Sequence, residues 1–377
     1  MKFPDRPLRV THIVSGDRWA GAEVQAYTLF RQLRQHVFLQ VIVLNEGELA
    51  DRCRELGIKL CVLDENRQGS GELLRAIMQQ LKSFGPDLVH THRQKENVLG
   101  SIANVLTVRA ASLRTIHGAA EFAPRGRQKL QVWLDRFCAR YLQQAAIAVS
   151  ADLRDKLRDS FPADRLQVIS NGIDPADVRN AISTPDFRRE HPEALHIGLV
   201  GRLDPVKRVD LFIEMAAILL QREPRKPWRF HVFGEGALLE SLREQARRLG
   251  VGDALVFHGH RSDIRSCIAA LDGMVMPSDH EGLPMAALEC LALGTPLIAH
   301  HTGGLPELLA ASPSSLVREH SGAGYAGAVL AMLQNGRQKT TFPAEYLASS
   351  NALKVLSLYQ NLLRRPQTQG PALLARK

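Results

Sequence analysis

A chain of 377 residues with 45% apolar and 23% charged side chains is too long for one hydrophobic core and too apolar for disorder, so two globular domains are expected. Its five cysteines (Cys53, Cys61, Cys138, Cys267, Cys290) are scattered without a C-x-x-C pair, which argues against a disulfide framework or a zinc site. No run of about 18 uncharged apolar residues is present, and Lys2, Asp5 and Arg6 stand where a secretory signal needs an apolar core, so a cytoplasmic location is expected. The net charge of +9 suits nucleic acid, an anionic membrane surface or a phosphorylated substrate. Much of it sits between Arg109 and Arg158, where ten Lys and Arg outnumber four acids.

In chain order, strand patterns at 8–14, 39–44, 59–63 and 87–90 alternate with helical patterns at 23–33, 48–56, 73–84 and 95–106. Short apolar runs at 113–116, 145–149 and 166–169 read as further strands. The last ends in the turn Ser170-Asn171-Gly172-Ile173-Asp174-Pro175. A polar, proline-containing stretch to about Glu193 marks the boundary, giving domains 1–180 and 181–377. A second alternation follows, with strands at 196–200, 229–233, 255–258, 273–276 and 296–299 and helices at 209–221, 238–249, 264–271, 285–293 and 306–311. A closing helix at 353–363 is free to pack back on the first domain. The fold class is α/β, two Rossmann-like doubly wound domains facing a cleft, with ligands expected after the carboxyl ends of strands.

The densest constellation is Pro277-Ser278-Asp279-His280-Glu281-Gly282-Leu283-Pro284, followed by a helix carrying Glu289. Gly282 and Pro284 suit a tight turn into a helix whose free N–H groups attract an anion such as a diphosphate. Taken alone, a glutamate pair is more often a capped helix with a surface acid. Gly201-Arg202-Leu203-Asp204-Pro205-Val206-Lys207 ends another strand with two cations five residues apart; alone, it reads as an exposed turn. Gly234-Glu235-Gly236 lacks the full G-x-G-x-x-G and serves equally as a packing turn.

Together these residues resemble the retaining, family-four glycosyltransferases. That family carries two glutamates separated by seven residues after a Pro-Ser, then a helix ending Ala-x-Gly-x-Pro-hydrophobic, matched here by Glu281, Glu289 and Ala292-Leu293-Gly294-Thr295-Pro296-Leu297. The resemblance implies the glycosyltransferase B fold and transfer of a sugar from a nucleoside diphosphate, UDP foremost, to a cell-envelope glycan or lipid-linked acceptor such as lipopolysaccharide. It implies that Glu281 contacts the donor sugar and Glu289 the ribose, while Arg202 and Lys207 neutralise the diphosphate. Gly282, Leu283 and Pro284, with Gly234, Gly236 and the backbone at His260, complete the donor side. The donor is a substrate, and neither a cofactor nor a metal is implied.

In the first domain, the family's Gly-Gly-x-Glu is replaced by Ala20-Gly21-Ala22-Glu23, leaving Gly21 for close backbone approach. His117, in Thr115-Ile116-His117, resembles a family histidine near the transferred sugar, with positioning favoured over general-base work. His90-x-His92 looks like a metal pair, but a structural or cleft-lining role is the better reading. Leu130, Trp133, Leu134, Phe137 and Tyr141 form a helical stripe expected to pack on the core. The charge around it suits anionic lipid headgroups, giving a peripheral location on the inner membrane face and no nucleic-acid partner. The alternatives are a non-catalytic nucleotide-sugar-binding module and a two-domain sugar-nucleotide epimerase.

Overall fold

The computed structural model describes residues 6–118, 126–180, 182–312, 315–336 and 342–364; Arg125 of the basic segment lies outside them. The chain divides into two compact units, Met1–Gly172 with Ala344–Lys377, and Ile173–Pro343.

In the first unit, β1 (Arg9–Val14), β2 (Phe38–Val43), β3 (Lys59–Val62), β4 (Leu88–Thr91), β5 (Ala111–Ile116), β6 (Ala145–Ala148) and β7 (Leu166–Val168) form one sheet in the order β3-β2-β1-β4-β5-β6-β7. In the second unit, β8 (Leu195–Val200), β9 (Trp228–Phe233), β10 (Leu255–Gly259), β11 (Gly273–Met276), β12 (Leu297–His300) and β13 (Leu316–Val317) run β10-β9-β8-β11-β12-β13. Every pairing between these strands is parallel. Helices cover both faces, so central strands such as β1 and β2 are buried almost throughout and read as continuous apolar runs rather than alternating ones. Both sheets reverse direction beside their first strand, between β1 and β4 and between β8 and β11. Ligand crevices in such sheets open at this switch point, which puts Ser15 and His92 at one and Gly201 and Pro277 at the other.

Two expectations change, the domain boundary and the face of the aromatic helix that meets the core. The boundary falls at Gly172/Ile173 rather than 180/181, because the polar stretch is anchored to the second unit. It forms the short helices Pro175–Arg179 and Asp186–Glu190. Arg179 Nε donates to the Ala292 carbonyl at 2.7 Å, and Arg188 pairs with Asp272 at 2.8 Å. Phe187 is buried against His231, with ring centroids 4.2 Å apart.

The closing helix, Ala348–Arg364, belongs to the first unit. Its Ala352, Val355, Tyr359 and Leu362 join the core of Val10, Phe30, Leu33 and Ile169. Burying one such large apolar side chain stabilises by roughly 1.5–3 kcal/mol.

The helix Arg127–Tyr141 presents its aromatic stripe outward instead of to the core. Leu130 is 60% exposed and Trp133 59%, while the smaller Cys138 and Ala139 are buried. Trp133 stacks on Phe137 with centroids 5.8 Å apart, and Tyr141 packs tilted against Phe137 at 5.0 Å.

The helix Gly322–Asn335 was not expected, because glycines disfavour helix interiors. Gly322 is required by close packing: a Cβ there would lie 2.5 Å from Glu214 Cβ of the helix Val209–Arg222. Ser321 caps the helix by accepting from the Gly324 amide at 3.1 Å.

Candidate active site

Two loops meet at the switch point of the second sheet. The first leaves β8 at Gly201 and forms a tight turn, Pro205–Lys207, whose proline sits at the first helical position. The second leaves β11 and carries Glu281 toward the helix Met285–Leu293. Lys207 Nζ lies 2.6 Å from Glu281 Oε1, both side chains largely buried. The Asp279 amide donates to the Val206 carbonyl at 2.9 Å, tying the loops together.

Asp279 Oδ1 lies 3.2 Å from Arg208 Nη1 and 2.9 Å from His320 Nε2. His320 Nδ1 is 2.9 Å from the Tyr325 hydroxyl. The turn after β12 supports the acid loop from the other side. Thr302 Oγ1 donates to the Asp279 carbonyl at 2.9 Å and the Gly304 amide to the Gly282 carbonyl at 2.7 Å. Gly303, at φ +61°, is where only glycine fits, since a Cβ would lie 1.8 Å from the Glu281 carbonyl oxygen.

The glutamates separate in their partners. Glu289 is buried and its Oε1 accepts from Arg265 Nε at 3.0 Å. Arg265 also reaches Asp177 at 3.2 Å. Burial raises the Glu289 carboxyl above its ordinary range, and Arg265 opposes that rise. Arg202 is half-exposed, 3.0 Å from Asp204. Gly282 and Leu283 are buried and Pro284 precedes the helix.

Gly234 and Gly236 are explained by packing within the unit. A Cβ on Gly234 would lie 1.9 Å from the Gly201 carbonyl oxygen, and one on Gly236 would lie 2.3 Å from that of Leu203. They let the β9 loop support the Arg202 loop. His260 is exposed, its amide 3.3 Å from Glu235 Oε1. Arg265 and His320 escape sequence reading, and Asp279 stands in the densest motif without a role assigned to it.

At the switch point of the first sheet, Gly21 opens the helix Gly21–Leu33, whose N-cap Ala20 offers no capping side chain. Arg93, just past β4, lies 2.8 Å from Asp17 and 2.6 Å from the buried Glu23. The Glu23 contact is a close charge pair without hydrogen-bond geometry. Burial raises Glu96 to about 7 and leaves its Oε1 unpartnered among the described residues. Its helix, Gln94–Leu106, buries the polar set Glu96, Asn97, Ser101 and Asn104; that inward polar stripe was a readable signal.

Four histidines of this unit, His12, His90, His92 and His117, form one chain. Thr115 Oγ1 is 2.8 Å from His90 Nε2, and His90 Nδ1 is 2.7 Å from the Tyr359 hydroxyl. That hydroxyl is 3.0 Å from His12 Nε2, and His12 Nδ1 is 3.0 Å from His92 Nε2. His92 Nδ1 is 3.2 Å from His117 Nε2. Burial lowers all four imidazoles, His117 to about 4, with Arg93 and Arg114 adding to its depression. His12, His90 and His92 have ligand atoms within 4.8 Å of one another, the sole such trio among the described residues. Both ring nitrogens of each are already engaged in this chain, so a metal would have to displace those contacts.

The two parallel-sheet α/β units with their switch points define a fold of the glycosyltransferase B class. Residues 19–177 match the profile described as Glycosyltransferase Family 4, and residues 194–335 match that of Glycosyl transferases group 1. The chain belongs to this family-four, group 1 glycosyltransferase family.

It is 29% identical over 239 residues to the UDP-Gal:alpha-D-GlcNAc-diphosphoundecaprenol alpha-1,3-galactosyltransferase of Escherichia coli, covering 61% of this chain and 62% of that protein. To the D-inositol 3-phosphate glycosyltransferase of Corynebacterium glutamicum (strain R) it is 26% identical over 311 residues, covering 75% and 74%. Among solved structures, Anabaena Alr3699/HepE in complex with UDP-glucose superposes with a TM-score of 0.74 at 20% identity, covering 94% and 98% of the two chains.

Proposed function

We propose that the protein transfers a sugar, with retention at the anomeric carbon, from a UDP-sugar to a lipid-linked or cell-envelope glycan acceptor such as a lipopolysaccharide precursor. The observation that carries this reading is the Lys207–Glu281 pair, 2.6 Å apart at the switch point of a parallel sheet. In this reading Lys207 and Arg202 bind the diphosphate, and Glu281 orients the sugar. Glu289, steadied by Arg265, takes the ribose hydroxyls. Gly21 and His117 act from the first unit.

The bond from the anomeric carbon to the leaving phosphate oxygen breaks as the acceptor oxygen bonds to that carbon on the same face. The acceptor proton passes to the leaving phosphate. Fixed cations stabilise the charge that grows on this phosphate more than they stabilise the ground state. They supply the neutralisation that a divalent ion would otherwise give, so activity should survive a chelator. UDP-glucose bound in the Anabaena structure and the diphosphoundecaprenol acceptor named for the Escherichia coli relative support the choice of substrate classes. A binding module or an epimerase would release no UDP on acceptor addition.

A membrane-facing acceptor fits the exposed stripe of Leu130, Trp133 and Tyr141, beside Lys129, Arg136 and Arg140, which form no ion pair among the described residues. Aromatic and basic side chains on one helix suit an anionic lipid surface. No described helix is long and apolar enough to cross a membrane.

The test is a panel of UDP- and GDP-sugars scored by thermal stabilisation, then transfer of the stabilising sugar to a lipid-linked acceptor, with the product anomer read by NMR. An inverted anomer, or no stabilisation by any member, would defeat this reading.

A further inference from the structure

The chain Thr115–His90–Tyr359–His12–His92–His117 has five contacts. Each contact needs one proton between its two atoms, and with all four rings neutral the six groups carry one mobile proton apiece. A chain of this kind satisfies every contact only if all its members donate in the same direction. If each donates toward Thr115, the Thr115 hydroxyl must find another acceptor, and among the described residues its only hydrogen bond is to His90. If each donates toward His117, every internal donor is satisfied. The one proton left over then sits on His117 Nδ1, a buried nitrogen with no partner among the described residues. The second direction leaves one group unmatched and the first leaves two.

We infer that this chain fixes His117 as the Nδ1–H tautomer and presents that N–H as a hydrogen-bond donor to an oxygen of bound substrate, a sugar hydroxyl in the reading above. Thr115, His90, Tyr359, His12 and His92 are positioning residues that act through His117. The ligand side of the inference rests on the glycosyltransferase reading; the tautomer does not. A nitrogen that already carries its proton cannot serve as the base for an acceptor hydroxyl, so His117 orients substrate while the leaving phosphate takes the proton. The closing helix matters for this reason as well, since Tyr359 links His90 on β4 to His12 on β1.

The second unit supplies an internal contrast. There His196 Nε2 lies 2.8 Å from the His191 carbonyl, which can only accept. His196 Nδ1 is 2.8 Å from His231 Nε2, and His231 Nδ1 is 2.9 Å from His258 Nε2. That order forces all three rings into the Nε2–H form.

The experiment is ¹⁵N NMR of the full chain labelled at histidine, at pH 7.5, where ring-nitrogen shifts and couplings separate the two tautomers. His12, His90, His92 and His117 are expected as Nδ1–H, and His196, His231 and His258 as Nε2–H. His117 in the Nε2–H form would overturn the inference. Tyr359→Phe and Thr115→Val each remove one hydroxyl and should give His117 a mixed tautomer population. An unchanged His117 in both variants would show that the chain does not set it.

UDP-glucose should move the His117 Nδ1–H resonance where UDP alone leaves it in place. A resonance unmoved by UDP-glucose that does raise the melting temperature would overturn the ligand assignment. Absence of any melting shift with either nucleotide would count against the function reading, and the tautomer would still decide the inference.

Discussion

Lys207 Nζ and Glu281 Oε1 are joined at 2.6 Å. The cation assigned to the diphosphate thus neutralises the acid assigned to the sugar, and each limits the cost of burying the other. Lys207→Ala should lose transfer activity and also about 3 kcal/mol of stability, because it leaves a largely buried carboxylate without its partner. Adding Glu281→Gln to that variant should restore part of the stability and none of the activity. Urea melts of both variants decide this; a double variant no more stable than Lys207→Ala would count against the pairing as described.

Glu289 calls for a different signature. Its folded carboxyl is raised by burial, so the folded state keeps a proton that the unfolded state has already lost. Stability from this group is therefore present at acid pH and declines as pH rises from the unfolded value, near 4.3, through the folded one. Glu289→Gln keeps an acceptor for Arg265 and removes that decline. Its stability relative to the parent should grow between acid and neutral pH, while UDP binds on the order of tenfold or more weakly for want of a carboxylate on the ribose. Glu281→Gln should instead retain UDP binding and lose turnover. Equal loss of UDP binding in the two variants would defeat this division of labour.

Much of this site could be read from the chain because its parts lie directly after strands, and parallel strands buried on both faces are continuous apolar runs. Glu281 and Lys207 announce themselves by position relative to β11 and β8. Arg265 does not, because its partner Glu289 lies 24 residues away on another helix and no local periodicity couples them. Tyr359 and His12, 347 residues apart, are joined only by the return of the last helix to the first unit. The stripe of Trp133 and Tyr141 shows a different limit. Spacing fixes which residues share a helix face, but not whether that face meets core or solvent.

Gly303 tests backbone support of Glu281 separately from its charge. Its φ is positive, and an added Cβ would come within 1.8 Å of the Glu281 carbonyl oxygen, so Gly303→Ala must push the two loops apart. Misplacing a reacting group by about 1 Å can cost on the order of 100-fold in rate. The variant should therefore lower kcat by roughly that factor while the second unit still melts cooperatively. Gly250→Ala, also at positive φ but with no atom near its Cβ, provides the control for backbone strain alone. It should leave kcat unchanged, and an equal fall in both variants would remove the special claim for Gly303.

The buried histidines set the acid limit of the protein. His12, His90 and His92 in the first unit are pushed well below the ordinary value by burial, and His117 to about 4. Among the described residues of the second unit only His231, at about 2, falls so far, and burial lowers His196, His258 and His300 less. Below about pH 6.5 the unfolded chain takes up protons that the folded chain refuses, so stability is full above that pH and falls as pH drops. Each histidine removes about 1.4 kcal/mol per pH unit until its own folded value is reached. Four such groups together weaken the first unit steeply on acidification, against a typical domain stability of only about 5–15 kcal/mol. The first unit should accordingly unfold at a higher pH than the second. With Trp19 and Trp133 of the first unit replaced by Phe, Trp228, buried in the second unit, reports that unit by fluorescence, while exchange of the β1 and β4 amides reports the first. Loss of amide protection on acidification below about pH 6.5 with Trp228 emission still native is the expected result, and simultaneous loss of both signals would show that the histidine chain does not govern the acid transition.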